Sequence, residues 1–183
     1  MRIIGGKFRG RVLAQFDGEA VRPTADRVKE SLFNILAPRL SGSRVLDLFS
    51  GSGALGLESL SRGAKEVVFN DVSRDSVGIL KKNVARLKPP VSADEVKIYN
   101  LDYLACLERV TGVFDLVFID PPYRFDYGAL ALKRIAERGL LADGGVIVYE
   151  RDRAFEGNVK GLEKFDERKY GKTTLTFFSK EEQ

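Results

Sequence analysis

"RVLDLFSGSGALG", residues 44–56, runs an apolar strand-like segment into a glycine-rich turn and then into the start of a helical pattern. Gly51, Gly53 and Gly56 keep the spacing G-x-G-x-x-G, after the strand and at the opening of the helix. Glycines there let the backbone turn sharply and approach a ligand, while the helix N-terminus offers free N–H groups. The stretch predicts the first strand–turn–helix unit of a nucleotide-binding α/β sheet. A tight turn with no ligand is the competing reading, and the surrounding chain must decide.

Outward from this turn, "RVLDLF" (44–49), "EVVFN" (66–70), "EVKIY" (95–99), "FDLVFI" (114–119) and "GVIVYE" (145–150) are short runs rich in β-branched residues, typical of buried strands. Helical patterns separate them: one opens near Gly53, one runs from Ser73 through Val77, Leu80, Val84 and Leu87, a short one lies near Tyr103, and one spans 127–138. Upstream, Val28, Leu32, Ile35 and Leu36 recur at helical spacing, from Thr24 as N-cap until Pro38 ends the pattern. Such alternation implies right-handed βαβ units and a parallel sheet covered on both sides. The tail, 162–180, instead holds two strand-like halves around Gly171 and Lys172, which predicts an antiparallel hairpin at the sheet edge. The opening "MRIIGGKFRGRVLAQ" reads as a small β-hairpin broken by Gly5, Gly6 and Gly10. No repeat or linker composition appears, so one domain over 1–183 is expected, with a basic β extension (1–21) and a catalytic core (22–183).

At 183 residues, 44% hydrophobic and 31% charged, the chain has the balance of a soluble globular protein. No apolar run approaches the roughly 20 residues that span a bilayer, and the N-terminus lacks the apolar core of a signal peptide, so a cytoplasmic protein is expected. The single cysteine, Cys106, excludes an internal disulfide. The absence of histidine excludes Ser-His-Asp and Cys-His nucleophiles and His-ligated metals. Chemistry is left to carboxylates, backbone groups and a borrowed cofactor, with no metal. The first 40 residues hold eight Lys/Arg against four Asp/Glu, and the remainder holds 22 of each. Lys7, Arg9 and Arg11 alternate as if on one face of a strand. The whole excess of +4 therefore lies near the N-terminus, suggesting a polyanionic partner, although an edge strand guarded by cations explains the same charges.

Asp71 closes the second strand, where it can accept from both ribose hydroxyls of an adenosine. Asp47, four residues before Gly51, would repel a pyrophosphate but suits the ammonium of a methionine moiety, which favours S-adenosylmethionine over a dinucleotide. Asp102 can accept from the adenine amine, cap the following helix, or do both. "FIDPPY" (118–123) ends the fourth strand abruptly. Pro121 and Pro122 make a stiff corner, Asp120 and the Pro121 carbonyl supply two acceptors, and Tyr123 offers a flat face. This arrangement suits a planar base carrying an exocyclic NH₂ and drawn out of its stack.

"DPPY" resembles the Asp/Asn-Pro-Pro-aromatic motif of amino-directed, S-adenosylmethionine-dependent methyltransferases, and "DLFSGSGALGLE" (47–58) resembles their first cofactor motif. The whole chain, through "RPTADRVKESLFN" (22–34) and "RKYGKTTLTFF" (168–178), resembles RsmD-type small-subunit ribosomal RNA guanine-N2 methyltransferases. The resemblance implies a Rossmann-like seven-stranded methyltransferase sheet with a reversed last strand and an N-terminal β extension. It implies a guanine of 16S ribosomal RNA as substrate, in the small subunit or an assembly intermediate, and a monomer is expected. Asp120, Pro121, Pro122 and Tyr123 would form the catalytic corner. Asp47, Phe49, Gly51, Gly53, Asp71 and Asp102 would hold the cofactor, and Arg22, Pro23 and Thr24 would close one side of the site. Lys7, Arg9, Arg11 and Arg22 would meet RNA. Asp71 departs from the family's usual glutamate.

Other classes use parts of the same pattern. Adenine-N6 and protein-glutamine methyltransferases share the Pro-Pro corner, and the residues alone do not separate guanine from adenine. Cytosine-C5 chemistry needs a cysteine nucleophile, and Cys106 sits in a helical stretch away from the corner. A nicotinamide oxidoreductase would leave "DPPY" without a purpose, and a non-catalytic RNA-binding module would not need Asp71 and Asp102.

Overall fold

The computed structural model describes residues 1–16, 23–122 and 127–181, with backbone alone for 23–25. Five parallel strands, β1 (Arg44–Asp47), β2 (Glu66–Asn70), β3 (Val96–Tyr99), β4 (Phe114–Ile119) and β5 (Leu141–Arg151), join β6 (Leu162–Tyr170) and β7 (Thr173–Lys180) in one sheet. Its order is β3-β2-β1-β4-β5-β7-β6, and β7 runs antiparallel to both neighbours. This is the expected seven-stranded sheet with a reversed last strand. The tail hairpin forms as predicted, with β7 inserted beside β5 so that β6 becomes the edge.

Side chains alternate between two cores along the central strands. Val45, Leu116, Phe118, Val146 and Val148 face α1 (Pro23–Leu36), α2 (Ala54–Ser61) and α3 (Arg74–Ala85). Leu46, Val117, Ile119, Ile147 and Tyr149 face α4 (Tyr103–Arg109) and α5 (Tyr127–Glu137). Burial on both faces explains why the strands read as continuous apolar runs. The chain leaves β1 toward β2 on one side, while β4 lies on the other, so a crevice opens at the carboxyl ends of β1 and β4, the topological switch point.

Three expectations change. The N-terminal hairpin forms but is short: Arg2 bridges Val12 antiparallel, Ile3 N–H donates to the Arg11 carbonyl (2.9 Å) and Leu13 N–H to the Met1 carbonyl (3.0 Å), around a 3-10 turn at Gly6–Phe8. Lys7 lies in that turn and Arg9 closes it, so Lys7, Arg9 and Arg11 do not share one strand face. Helix α1 begins at Pro23, which suits a first helical position, so Thr24 falls in the first turn and not at the cap. The β5 strand starts earlier than its β-branched run, because Leu141 pairs with Phe114 ahead of a register shift.

Candidate active site

The glycine turn is held from three sides. Ser50 N–H donates to the Asn70 carbonyl (2.9 Å), Gly53 N–H to the Ser50 carbonyl (2.7 Å), and Gly51 N–H to Asp71 Oδ2 (2.9 Å). Gly51 and Gly53 adopt φ of +52° and +86°, a region costly for residues with a Cβ. Gly56 serves packing instead: a Cβ there would lie 2.2 Å from Phe69 Cε1 on β2. A Cβ on Gly51, by contrast, would meet nothing within 4 Å. Beside it, the buried Ser50 Oγ has no hydrogen-bond partner among the described residues. Open space over the turn and an unpartnered buried hydroxyl fit a polar ligand lying across it.

Asp71 anchors the turn more firmly than expected. Besides Gly51, its carboxylate accepts from Ser73 N–H through Oδ1 at 2.9 Å, and its carbonyl accepts from Asn100 Nδ2 at 2.8 Å. A carboxylate has about four acceptor sites, so two engagements leave capacity for a ribose. Asp47 is buried beneath the turn, where its Oδ2 accepts from Gly56 N–H in the first turn of α2 at 2.9 Å. Burial pushes its carboxyl up to about 7, against the Gly56 hydrogen bond and with a further push from Asp71.

Asp120 follows β4 at the carboxyl end of the sheet, half-buried, with Pro121 buried and Pro122 exposed beside it. Register pairs Ile119 with Tyr149, so Asp120 and Glu150 stand level at adjacent strand ends, on the face that carries Phe118 and Val148. Burial, then the charges of Glu150 and Asp47, hold the Asp120 carboxyl well above the ordinary range. Tyr123 and Arg22 lie outside the described residues, as does the Thr24 side chain.

Asp102 caps α4, with Oδ1 accepting from Leu104 N–H at 2.9 Å, and it is exposed. An aromatic row runs beside it: Phe49 lies 5.3 Å from Tyr103, and Tyr103 lies 5.2 Å from Tyr127. The row runs from the end of β1 to the start of α5, packed against the core beneath α4 and α5. Cys106 is buried in α4, and burial pushes its thiol up to about 12, so it is no nucleophile. Among the described residues no acidic or sulfur-bearing cluster could hold a metal, and no helix is long and apolar enough to cross a membrane.

Lys7, Arg9 and Arg11 are all exposed, and Lys7 pairs with Glu95 at 2.9 Å. The segment bearing them is fastened into the fold: Ile3, Phe8 and Leu13 enter the core, and the fully buried Glu58 of α2 accepts from Ile4 N–H (2.7 Å) and Gly5 N–H (2.8 Å). Glu58 also pairs with Arg62 (2.8 Å) and the buried Lys29 (3.5 Å). Asn70 clamps the strand ends, donating to the Leu48 and Leu101 carbonyls at 3.2 and 3.1 Å. Sequence reasoning missed Glu58, Lys29, Asn70 and Asn83. Their signal was a polar residue at an apolar position of a periodic segment. A cavity of about 820 Å³ opens between α5 and the β5–β6 connection, among Lys133, Arg151, Phe155 and Lys160, and no predicted site residue lines it.

A family model described as conserved hypothetical protein 95 matches residues 1–179. The ribosomal RNA small subunit methyltransferase D of Haemophilus influenzae is 40% identical over 155 residues, covering 84% of this chain and 79% of that protein. The structure of yhhF from Escherichia coli superposes with a TM-score of 0.87 at 36% identity, over 100% of this chain and 99% of that one. SMU.776, solved in complex with SAH, has a TM-score of 0.65 at 16% identity over 86% of this chain and 50% of that one, a likeness of fold alone.

Proposed function

Because the chain belongs to the family described as conserved hypothetical protein 95, we propose that it methylates the exocyclic N2 amine of a guanine in small-subunit ribosomal RNA. It is an RsmD-type methyltransferase, and S-adenosylmethionine is its cofactor. The observation that carries the site assignment is the placement of Asp120 at the end of β4, beside β1 and its glycine turn, at the switch point of the sheet.

S-adenosylmethionine supplies a methyl group activated by its sulfonium. Gly51, Gly53 and Asp71 would hold the cofactor at the turn, with Phe49 and Asp102 toward the adenine and Asp47 toward the methionine ammonium. Asp120 and the Pro121 carbonyl accept the two amine hydrogens, which turns the nitrogen lone pair toward the methyl donor. Tyr123 stacks on the base. The nitrogen becomes strongly acidic on methylation, and its proton passes to Asp120 or to water. Asp120 acts there as the carboxylate, and the raised proton affinity that burial and its charged neighbours give it makes it a stronger base for that last step. The exposed Arg9 and Arg11, together with Arg22 and Lys7, supply the cationic approach to RNA phosphate.

The shared Pro-Pro corner leaves an adenine N6 amine and a protein glutamine as rival acceptors, of which the glutamine is separated first. Tritiated methyl from S-adenosylmethionine, supplied with undermodified small ribosomal subunits, is expected in the ribonuclease-sensitive fraction. Label that survives ribonuclease and falls to protease would overturn the assignment.

A further inference from the structure

The Asn83 side chain, only 2% exposed on α3, makes three hydrogen bonds to two segments remote from it in sequence. Its Oδ1 accepts from Ala14 N–H at 2.7 Å, and its Nδ2 donates to the Ala14 carbonyl at 3.1 Å and the Ser52 carbonyl at 2.9 Å. The amide thus reads residue 14 as a neighbouring strand would, while holding the middle residue of the glycine turn. The Ser52–Gly53 peptide is pinned at both ends, since Gly53 N–H already donates to Ser50. Every polar valence of the Asn83 amide that these partners need is engaged, so an alanine would leave one donor and two acceptors unmatched on the half-buried Ala14 and Ser52.

We propose that Asn83 is a positioning residue for the cofactor site: it latches the N-terminal segment to the glycine turn, so that occupancy of the turn and ordering of residues 13–16 reinforce each other. The coupling is reciprocal by linkage, because whatever steadies one end of the amide steadies the other. The proposal rests on the cofactor assignment above and not on the identity of the methylated base.

Hydrogen exchange read by mass spectrometry, with and without S-adenosylhomocysteine, tests it. In the wild type the ligand should slow exchange both at 50–56 and at 13–16. In Asn83→Ala the protection at 13–16 should vanish, and affinity should fall about tenfold, a loss typical of one well-placed hydrogen bond. Asn83→Asp keeps the acceptor for Ala14 N–H and loses both donors, so it should weaken ligand binding likewise and carries the same test if the alanine variant does not fold. Val84→Ala, a packing change on the same helix, should lower the melting temperature without uncoupling the two segments. Ligand protection confined to 50–56 in the wild type, full coupling and unchanged affinity in Asn83→Ala, or equal uncoupling in Val84→Ala would each overturn the latch. Absence of ligand protection anywhere in the wild type would contradict the cofactor assignment instead.

Discussion

Gly51 and Asp71, twenty residues apart, are joined by a 2.9 Å hydrogen bond from the Gly51 amide to Asp71 Oδ2, which ties the glycine turn of β1 to the end of β2. Asp71 thus shapes the turn as well as offering acceptors to a ribose. Asp71→Ala should weaken S-adenosylhomocysteine binding by roughly 1.5–3 kcal/mol, the range for hydrogen bonds to a charged group. Calorimetry on the folded variant checks this, and an unchanged dissociation constant would remove Asp71 from the cofactor site.

The buried Asp47 links cofactor-site architecture to pH. Its carboxyl titrates near 3.8 in the unfolded chain and at about 7 in the fold. Between those values the folded state keeps a proton that the unfolded chain has released. Asp47 therefore contributes stability that is full below the lower value and lost as pH rises through the upper one, by up to about 4 kcal/mol. Urea unfolding at a series of pH values should show Asp47→Asn gaining stability relative to the wild type between pH 4 and 7. Parallel profiles for the two proteins would contradict the account.

Much of this was legible in the residues. Strand and helix identities followed from β-branched runs and helical spacing, and the turn at Gly51 and Gly53 and the corner at Asp120 followed from glycines and prolines whose backbone demands are local. The short N-terminal hairpin was legible, but its anchoring was not. That depends on Glu58, more than fifty residues away, whose carboxylate accepts from the Ile4 and Gly5 amides. Asn70 and Asn83 stand out as polar residues at apolar positions, but the backbone groups they reach, 31 and 69 residues away, leave no trace in the local pattern. Asp102 could be foreseen as a cap because its partner, Leu104, is two residues away.

The Glu58 network should govern stability rather than chemistry. Burial lowers the Lys29 ammonium below the ordinary lysine range, against the opposing pull of Glu58 and Asp26. Removing Glu58 would leave two backbone amides unmatched and strip the Lys29 ammonium of its ion-pair partner, with its hydrogen bond to the Arg2 carbonyl (2.5 Å) remaining. Glu58→Ala should cost on the order of 3–5 kcal/mol in urea unfolding, as when one member of a buried ion pair is deleted. A loss under about 1 kcal/mol, the range of an exposed pair, would show that the network is replaceable by water.

Lys7, Arg9 and Arg11 are all exposed but Lys7 is held by Glu95, so the RNA contribution of the segment is best tested on the two arginines. The double variant Arg9→Ala/Arg11→Ala should weaken binding to small-subunit particles and flatten its log–log salt dependence by roughly 0.7–0.9 per lost phosphate contact. Its melting temperature should stay near that of the wild type, because exposed charges contribute little to stability. Unchanged affinity and slope across the salt series would make these cations a solvated surface.

The central claim is that the Asp120 corner directs a methyl group to the N2 amine of a guanine. Its most direct measurement incubates the protein with labelled S-adenosylmethionine and undermodified small subunits, digests the RNA and identifies the labelled nucleoside. The account predicts label in N2-methylguanosine from the wild type, little from Asp120→Ala at cofactor affinity within a few-fold of wild type, and a partial yield from Asp120→Asn, whose carbonyl still accepts. Label in N6-methyladenosine, or wild-type labelling by Asp120→Ala, would contradict it.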